Sequence, residues 1–287
     1  MKGKIGLVAG RGIYPLKVLD GAKARGVSLV VAAFEGETEA RVAARGQPTE
    51  WLRVGQLGKL ISFFKKAGVQ EAIFAGQITP KRLFDLRPDW KALWIMARLK
   101  ERNAVTLFGA VVAELAKAGV KVLPATTFVE DHLASRGILA GPKPPNHLSS
   151  EIAFGWPLAK AVAKLNIGQT VVVKKGTVMA VEGFEGTDDA LRRGGKLGGG
   201  EAVAIKVTAP GQDMRFDVPV IGPRTLQAAA EGKLSVLVGV TMLAASTAST
   251  ISSSDPKALV LHLAAILRAV SGLESCTPTN SASCSSE

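Results

Sequence analysis

Lys4-Ile5-Gly6-Leu7-Val8-Ala9-Gly10-Arg11-Gly12-Ile13-Tyr14-Pro15 is the stretch on which the fold class turns. A short β-rich run, residues 5–10, leads through the turn Gly10-Arg11-Gly12 into a helical pattern over about 15–25, which Gly26 ends. Residues 28–34 then read as a second strand. The pattern recurs downstream: a helix around 57–66 stops at Gly68, and residues 70–75 return as a strand ending in Gly76-Gln77. Residues 90–101 and 105–118 read as helices, the second closed by Gly119 before a strand over 120–124. Short β-rich runs alternating with longer helical patterns are the mark of a parallel sheet with crossover helices. The first half therefore reads as a Rossmann-like α/β domain, residues 1–136.

Residues 137–150 contain Gly141-Pro142-Lys143-Pro144-Pro145, a Pro-rich stretch that should hold no regular structure and that we read as a linker. A second domain of mixed α/β (α+β) character follows over 151–245. It comprises a helix over 151–165, a hairpin of 169–173 and 177–182 turned by Lys174-Lys175-Gly176, and a short helix over 188–193 with Thr187 as its N-cap. Strands over 202–208 and 213–220, a helix over 224–231 and a strand around 234–240 complete it. Seven of the ten residues 246–255 are Ser or Thr, and residues 246–287 read as a largely disordered tail with one apolar helical run at 258–270.

With 287 residues and 47% apolar content, the chain can build one large or two ordinary cores, which excludes a disulfide-stapled mini-protein and global disorder. Its two cysteines, Cys276 and Cys284, both lie near the end, so neither a disulfide framework nor a Cys-based zinc site organises the body, and a cytoplasmic setting is expected. The opening residues read as a strand rather than a signal peptide, and no run reaches the roughly 18 apolar residues of a membrane span. A net charge of +12 attracts an anionic partner without naming it. One Tyr and 5% aromatic residues leave little for base stacking, so no nucleic-acid partner is expected. The three histidines, His132, His147 and His262, lack zinc-ligand spacing, which argues against zinc hydrolases and Ser-His-Asp chemistry.

Carboxylates gather between Val181 and Gly222. If 213–220 is a regular strand, Asp213, Arg215 and Asp217 share one face while Met214, Phe216 and Val218 share the other. Asp213 and Asp217 would then stand roughly 13 Å apart, too far for one metal ion. Mg²⁺ needs only one or two carboxylates when phosphates and water complete its shell, so Asp217 with Asp188 is a reasonable pair, with structural ion pairing as the competing use. Glu185-Gly186-Thr187-Asp188 brings amides, a hydroxyl and carboxylates to a hairpin-to-helix junction, and Lys206 and Arg215 could neutralise charge there. The amides of Gly10-Arg11-Gly12 could face a phosphate or ribose, or the turn could serve packing alone.

These runs, with Phe74-Ala75-Gly76-Gln77, Leu86-Arg87-Pro88-Asp89, Asn166-Ile167-Gly168-Gln169, Ala180-Val181-Glu182 and Arg215-Phe216-Asp217-Val218-Pro219-Val220-Ile221-Gly222, occur in an order that resembles the UDP-2,3-diacylglucosamine diphosphatase family of LpxI type over about residues 4–238. The resemblance implies a Mg²⁺-dependent hydrolase of lipid A synthesis in Gram-negative bacteria that cuts UDP-2,3-diacylglucosamine to UMP and 2,3-diacylglucosamine 1-phosphate, with water directed at the phosphorus on the sugar side. It implies a Rossmann-like N-terminal domain, Asp217 as the essential aspartate, and substrate contacts at Gly10, Gly12, Ile13, Gly76, Gln77, Glu185, Gly186, Thr187, Lys206 and Arg215. Past about Val238 the chain departs from the family's usual ending, which puts the dimer contacts of that segment in question.

Two other classes stay open on the residues alone: a nucleotide-sugar-binding regulator without turnover, and an NAD-dependent oxidoreductase using Gly10, Gly12 and Glu35. A diacylated substrate and a basic chain place the protein peripherally on the inner face of the inner membrane. Trp90, Leu93, Trp94 and Ala97 form one helical stripe suited to acyl chains or lipid, although core packing is the favoured use because Ile95, Met96 and Leu99 make the other side apolar too.

Overall fold

Strand β1 (Lys4–Ala9) is buried from Gly6 onward, as a central strand covered on both faces should be. In the computed structural model, which describes residues 4–45, 47–78, 88–100, 104–133, 144–239 and 242–243, it is the middle of a five-stranded parallel sheet. Its partners are β2 (Leu29–Phe34), β3 (Thr49–Leu52), β4 (Val69–Ala75) and β5 (Lys121–Val122), in the order β3-β2-β1-β4-β5. Helices α1 (Tyr14–Ala24), α2 (Ala40–Ala43), α3 (Leu57–Ala67), α4 (Trp90–Arg98) and α5 (Ala104–Lys117) connect or follow these strands. In α3, Leu57, Leu60, Ile61 and Phe64 recur at i, i+3, i+4 and i+7, and all four are buried in the core that β1, β2 and β4 share. The sequence pattern missed β3 and α2, which are too short to carry a period.

Asp89 caps α4, its carboxylate accepting from the Ala92 amide at 2.9 Å and from the Gly58 amide of α3 at 2.6 Å. Buried Glu114 of α5 pairs with Lys91 at 2.9 Å and Lys117 at 2.7 Å. Hydrogen bonds from Lys117 and then Lys91 hold its carboxyl below the ordinary range. With α4 so fixed, Ala92 and Ile95 enter the core, while Trp90, Leu93, Trp94 and Ala97 face outward. The favoured expectation for that stripe is thus reversed. Both sides of α4 are apolar, so periodicity could not choose between them.

The chain forms two compact α/β units: Met1–Leu133 with Gly211–Val218, and Ala134–Pro210 with Pro219–Glu287. In the second unit, β6 (Thr170–Lys174), β7 (Thr177–Val181), β8 (Val203–Lys206) and β10 (Val236–Gly239) make a mixed sheet in the order β10-β8-β6-β7. The hairpin of β6 and β7 turns at Lys175-Gly176, as the sequence indicated. Val171 and Val173 pack on one side of the sheet with α6 (Asn146–Lys164), and Val172 packs on the other with α7 (Thr187–Gly198) and α8 (Pro223–Glu231). This alternation follows from the two-residue period of a strand. A parallel pair of β9 (Val220–Ile221) and β11 (Met242–Leu243) completes the described residues.

Two sequence expectations fail here. Helix α6 starts at Asn146, inside the stretch read as linker, because Pro144 and Pro145 only fix the entry and leave the residues after them free to be helical. Residues 213–219 are not a strand. The amides of Phe216 and Asp217 both donate to the Asp213 carbonyl, at 3.2 and 2.9 Å, and close a turn. Half of the linker, residues 137–143, and the whole Ser/Thr-rich tail, 246–287, with its 258–270 run lie outside the described residues.

Candidate functional site

In an open parallel sheet, ligands bind beyond the carboxyl ends of the strands where the chain's direction of winding reverses. Here that point is β1, flanked by β2 on one side and β4 on the other. The turns after β1 and β4 are zipped together: Gly10 N donates to Ala75 O at 2.7 Å, Arg11 N to Gln77 O at 2.7 Å, and Gln77 N to Arg11 O at 3.2 Å. The amides of Gly10 and Arg11 are therefore committed inside the protein, and the expectation that they face a phosphate does not hold for them. A Cβ on Gly10 would meet Gln77 O at 2.6 Å, and one on Gly76, whose φ is +92°, would meet Arg11 O at 2.7 Å. These two glycines are there for backbone approach. Gly12 differs, with φ +94° and nothing within 4 Å of a Cβ position, so its Cα face is open. Gly76→Ala should cost at least about 2 kcal/mol of stability, from the left-handed backbone plus the clash, and chemical denaturation would show it as a lower midpoint.

The turn carrying Asp217 reaches the same end of the sheet. Met214 O accepts from Ala125 N at 2.8 Å, and the Tyr14 hydroxyl, in the first turn of α1, donates to Ala125 O. Burial pushes the Tyr14 phenol above its ordinary range. Phe216 packs against the first unit's core and stacks on Phe108, ring centroids 5.8 Å apart, and Phe108 meets Phe74 of β4 edge-on at 6.2 Å. The anchored ring places Arg215 and the half-buried Asp217 beside it in sequence. Arg215 Nε donates to Asp213 Oδ1 at 2.9 Å and its Nη2 to Oδ2 at 2.6 Å; this pair holds the Asp213 carboxyl below its ordinary range and offsets the charge expected from Arg215.

In the second unit the junction from β7 to α7 holds another polar group of residues. Gly186, with φ +85°, is the N-cap of α7, and Thr187 is already in the helix, so the N-cap expected at Thr187 is one residue early in the structure. Its hydroxyl is engaged elsewhere, donating to Glu182 Oε1 at 2.8 Å and accepting from Lys206 Nζ at 2.7 Å. Lys206 ends β8 and is only 6% exposed. Glu182 Oε2 accepts from Gln169 N at 3.2 Å. Beside Lys206 in the antiparallel register is Thr170, whose buried hydroxyl has no hydrogen-bond partner among the described residues. Glu185 pairs with Arg193, whose side-chain hydrogen bond keeps its carboxyl low, and Asp188 sits half-buried in the first turn of α7.

The structure therefore gathers Gly10, Gly12, Ile13, Gly76 and Gln77 at one end of the first sheet, with Arg215 and Asp217 on the turn tied to Ala125. It gathers Glu185, Gly186, Thr187, Asp188 and Lys206 at one junction of the second unit. Asp217 belongs to the first unit and Asp188 to the second. Among the described residues no three His, Cys, Asp or Glu side chains form a group able to hold a metal. The donors present suit an ion that takes most of its oxygens from phosphate and water, as Mg²⁺ does. Glu35, the acid of the oxidoreductase reading, pairs with Arg53 at 3.1 Å.

Comparison with known proteins settles the family. Residues 4–132 match the LpxI N-terminal domain and residues 135–262 the LpxI C-terminal domain. The chain belongs to the LpxI family. A similar LpxI-family protein, from Caulobacter vibrioides, is named UDP-2,3-diacylglucosamine pyrophosphatase LpxI; it is 29% identical over 248 residues, which cover 82% of this chain and 88% of that protein. Two solved structures show remote likenesses. The biotin carboxylase subunit of pyruvate carboxylase has a TM-score of 0.26 at 14% identity, covering 64% of this chain and 38% of its own. The biotin carboxylase domain of Hydrogenobacter thermophilus 2-oxoglutarate carboxylase has a TM-score of 0.28 at 13% identity, covering 69% and 41%. This LpxI-family chain thus spans less than half the length of either of those two.

Sequence reading of this LpxI-family chain passed over Tyr14, Ala125, Phe108 and Glu182 as parts of these sites. Tyr14 carries one signal: it is the chain's single tyrosine and stands two residues after Gly12 of the glycine turn. Ala125 acts through its backbone and Phe108 through a contact more than a hundred residues along the chain, so neither carries a local mark.

Proposed function

We propose that this protein hydrolyses the diphosphate of UDP-2,3-diacylglucosamine, releasing UMP and 2,3-diacylglucosamine 1-phosphate in lipid A biosynthesis. The observation that carries the reading is the succession of both LpxI domains along one chain. The strand order β3-β2-β1-β4-β5 supports taking the first unit as Rossmann-like. In this reading Asp217 is the catalytic carboxylate, aiming a water at phosphorus and accepting its proton. Its backbone is held by the turn on Asp213, and its position by the Phe216 ring, so little reorganisation accompanies reaction. Gly12 and Ile13, with Gln77, offer the open rim of the double turn to the substrate. Lys206 offers an ammonium donor to phosphoryl oxygens, with two protons left beyond the one it gives to Thr187, and Thr187, whose own proton goes to Glu182, positions that ammonium. Asp217 of the first unit and Asp188 of the second are each assigned as a carboxylate able to hold Mg²⁺, an ion that when bound would neutralise diphosphate charge.

The test is direct. Purified full-length protein, given UDP-2,3-diacylglucosamine dispersed in detergent with Mg²⁺, should release UMP and the acylated sugar 1-phosphate in equal amounts. Chelation should stop the release and added Mg²⁺ restore it. Intact substrate after prolonged incubation across divalent metals would overturn the reading. The peripheral location on the inner face of the inner membrane belongs to the same proposal, and none of the described helices is long and apolar enough to cross a membrane.

A further inference from the structure

Helix α4 exposes an apolar face of a particular kind. Trp90 is 88% exposed and Trp94 48%, with Leu93 and Ala97 beside them on the same side. Lys91 and Trp94, with Trp90, Glu114 and Lys117, line a shallow depression of about 520 Å³. Arg98 lies over the Trp94 ring, 3.5 Å from its centroid. Among the described residues Asp89 caps α4, and the one carboxylate of Glu114 is shared by Lys91 and Lys117, so Lys91, Lys117 and Arg98 together keep an excess of positive charge around the face. Between Lys81 and Arg102 the sequence holds seven Lys or Arg against three Asp or Glu.

We propose that the outward face of α4, carrying Trp90, Leu93 and Trp94 within a rim of Lys91, Arg98 and Lys117, is the surface by which this protein docks on an anionic lipid bilayer. Indole rings suit the boundary between headgroups and acyl chains because they join a large apolar body to a polar N–H. Cations at the same level meet anionic headgroups, a contact that strengthens at low salt. The occupant follows from the charge. A second copy seated on this face by two-fold symmetry would set the Lys and Arg rim against itself, whereas an anionic bilayer complements the rim all round. Nothing in the position of α4 requires an enclosed ligand, since the depression is open. The inference rests on the proposed diacylated substrate for its purpose, and on the exposed face for its location.

The experiment separates the two. Full-length protein is sedimented with vesicles of phosphatidylcholine alone or mixed with phosphatidylglycerol, at low salt and at about 0.5 M salt. Binding should appear with the anionic vesicles at low salt, with a blue shift of tryptophan fluorescence, and fall at high salt. Trp90→Ser with Trp94→Ser should reduce the bound fraction at least about tenfold while UMP release from detergent-dispersed substrate stays within about twofold. Trp90→Ser alone, at a largely solvated position, should weaken binding with unchanged circular dichroism. Wild-type protein that stays in the supernatant with anionic vesicles, or a double variant that sediments equally, overturns the docking surface and leaves hydrolysis untouched. A raised KM with detergent-dispersed substrate in the double variant would assign the face to acyl chains instead. Loss of a concentration-dependent dimer in that variant would assign it to a second copy. Either result also overturns the proposal.

Discussion

Asp217→Asn should lower kcat for UMP release by at least about a thousandfold, roughly 4 kcal/mol of barrier, while substrate affinity stays within a few-fold. Asparagine keeps the side chain's shape and loses the charge that would hold Mg²⁺ and the basicity that would take a proton from water. The fold should tolerate the change, because the turn is closed by backbone bonds to Asp213 and the anchor is Phe216. Titration of the variant with a non-hydrolysable analogue should therefore give a binding curve close to that of the wild type. Turnover within threefold of wild type would remove Asp217 from the chemistry. A collapse in affinity with kcat retained would make it a binding residue only.

Lys206→Met should lower kcat/KM by about a hundredfold, near 2.7 kcal/mol, through loss of a charged donor at the second unit's junction. Methionine fills the same buried slot, so loss of packing should be small. Thr187 would lose the donor that its hydroxyl now accepts, at a cost of about 1 kcal/mol, visible as a modest fall in melting temperature. Thr187→Val would serve as the companion variant, because it removes the hydroxyl that links Lys206 to Glu182 and leaves the ammonium in place. If both variants keep kcat/KM within threefold while showing lower stability, the Glu182-Thr187-Lys206 group is structural and the phosphoryl donors lie elsewhere.

The regular elements were legible because each has its own period and its own stop: an apolar run for β1 and a helical stripe for α3 in the first unit, and a short Gly-containing turn for the hairpin of β6 and β7 in the second. Those are short-range properties, and they survived into the structure with shifts of a residue or two. The order of motifs likewise carried the family. Three features needed the tertiary fold. Residues 213–219 alternate polar and apolar as a strand would, yet the Asp213 carbonyl and carboxylate capture the amides and guanidinium that follow, and Phe216 finds Phe108 from far along the chain. Thr187 has the residue type of an N-cap, yet its hydroxyl is drawn to Glu182 five residues before it and to Lys206, which lies on a strand nineteen residues further on and is brought there by the tertiary fold. Helix α4 is apolar on both sides, and its outward face was decided by Asp89 on the Gly58 amide of α3 and by Lys91 on Glu114 of α5, bonds between helices that no local pattern encodes.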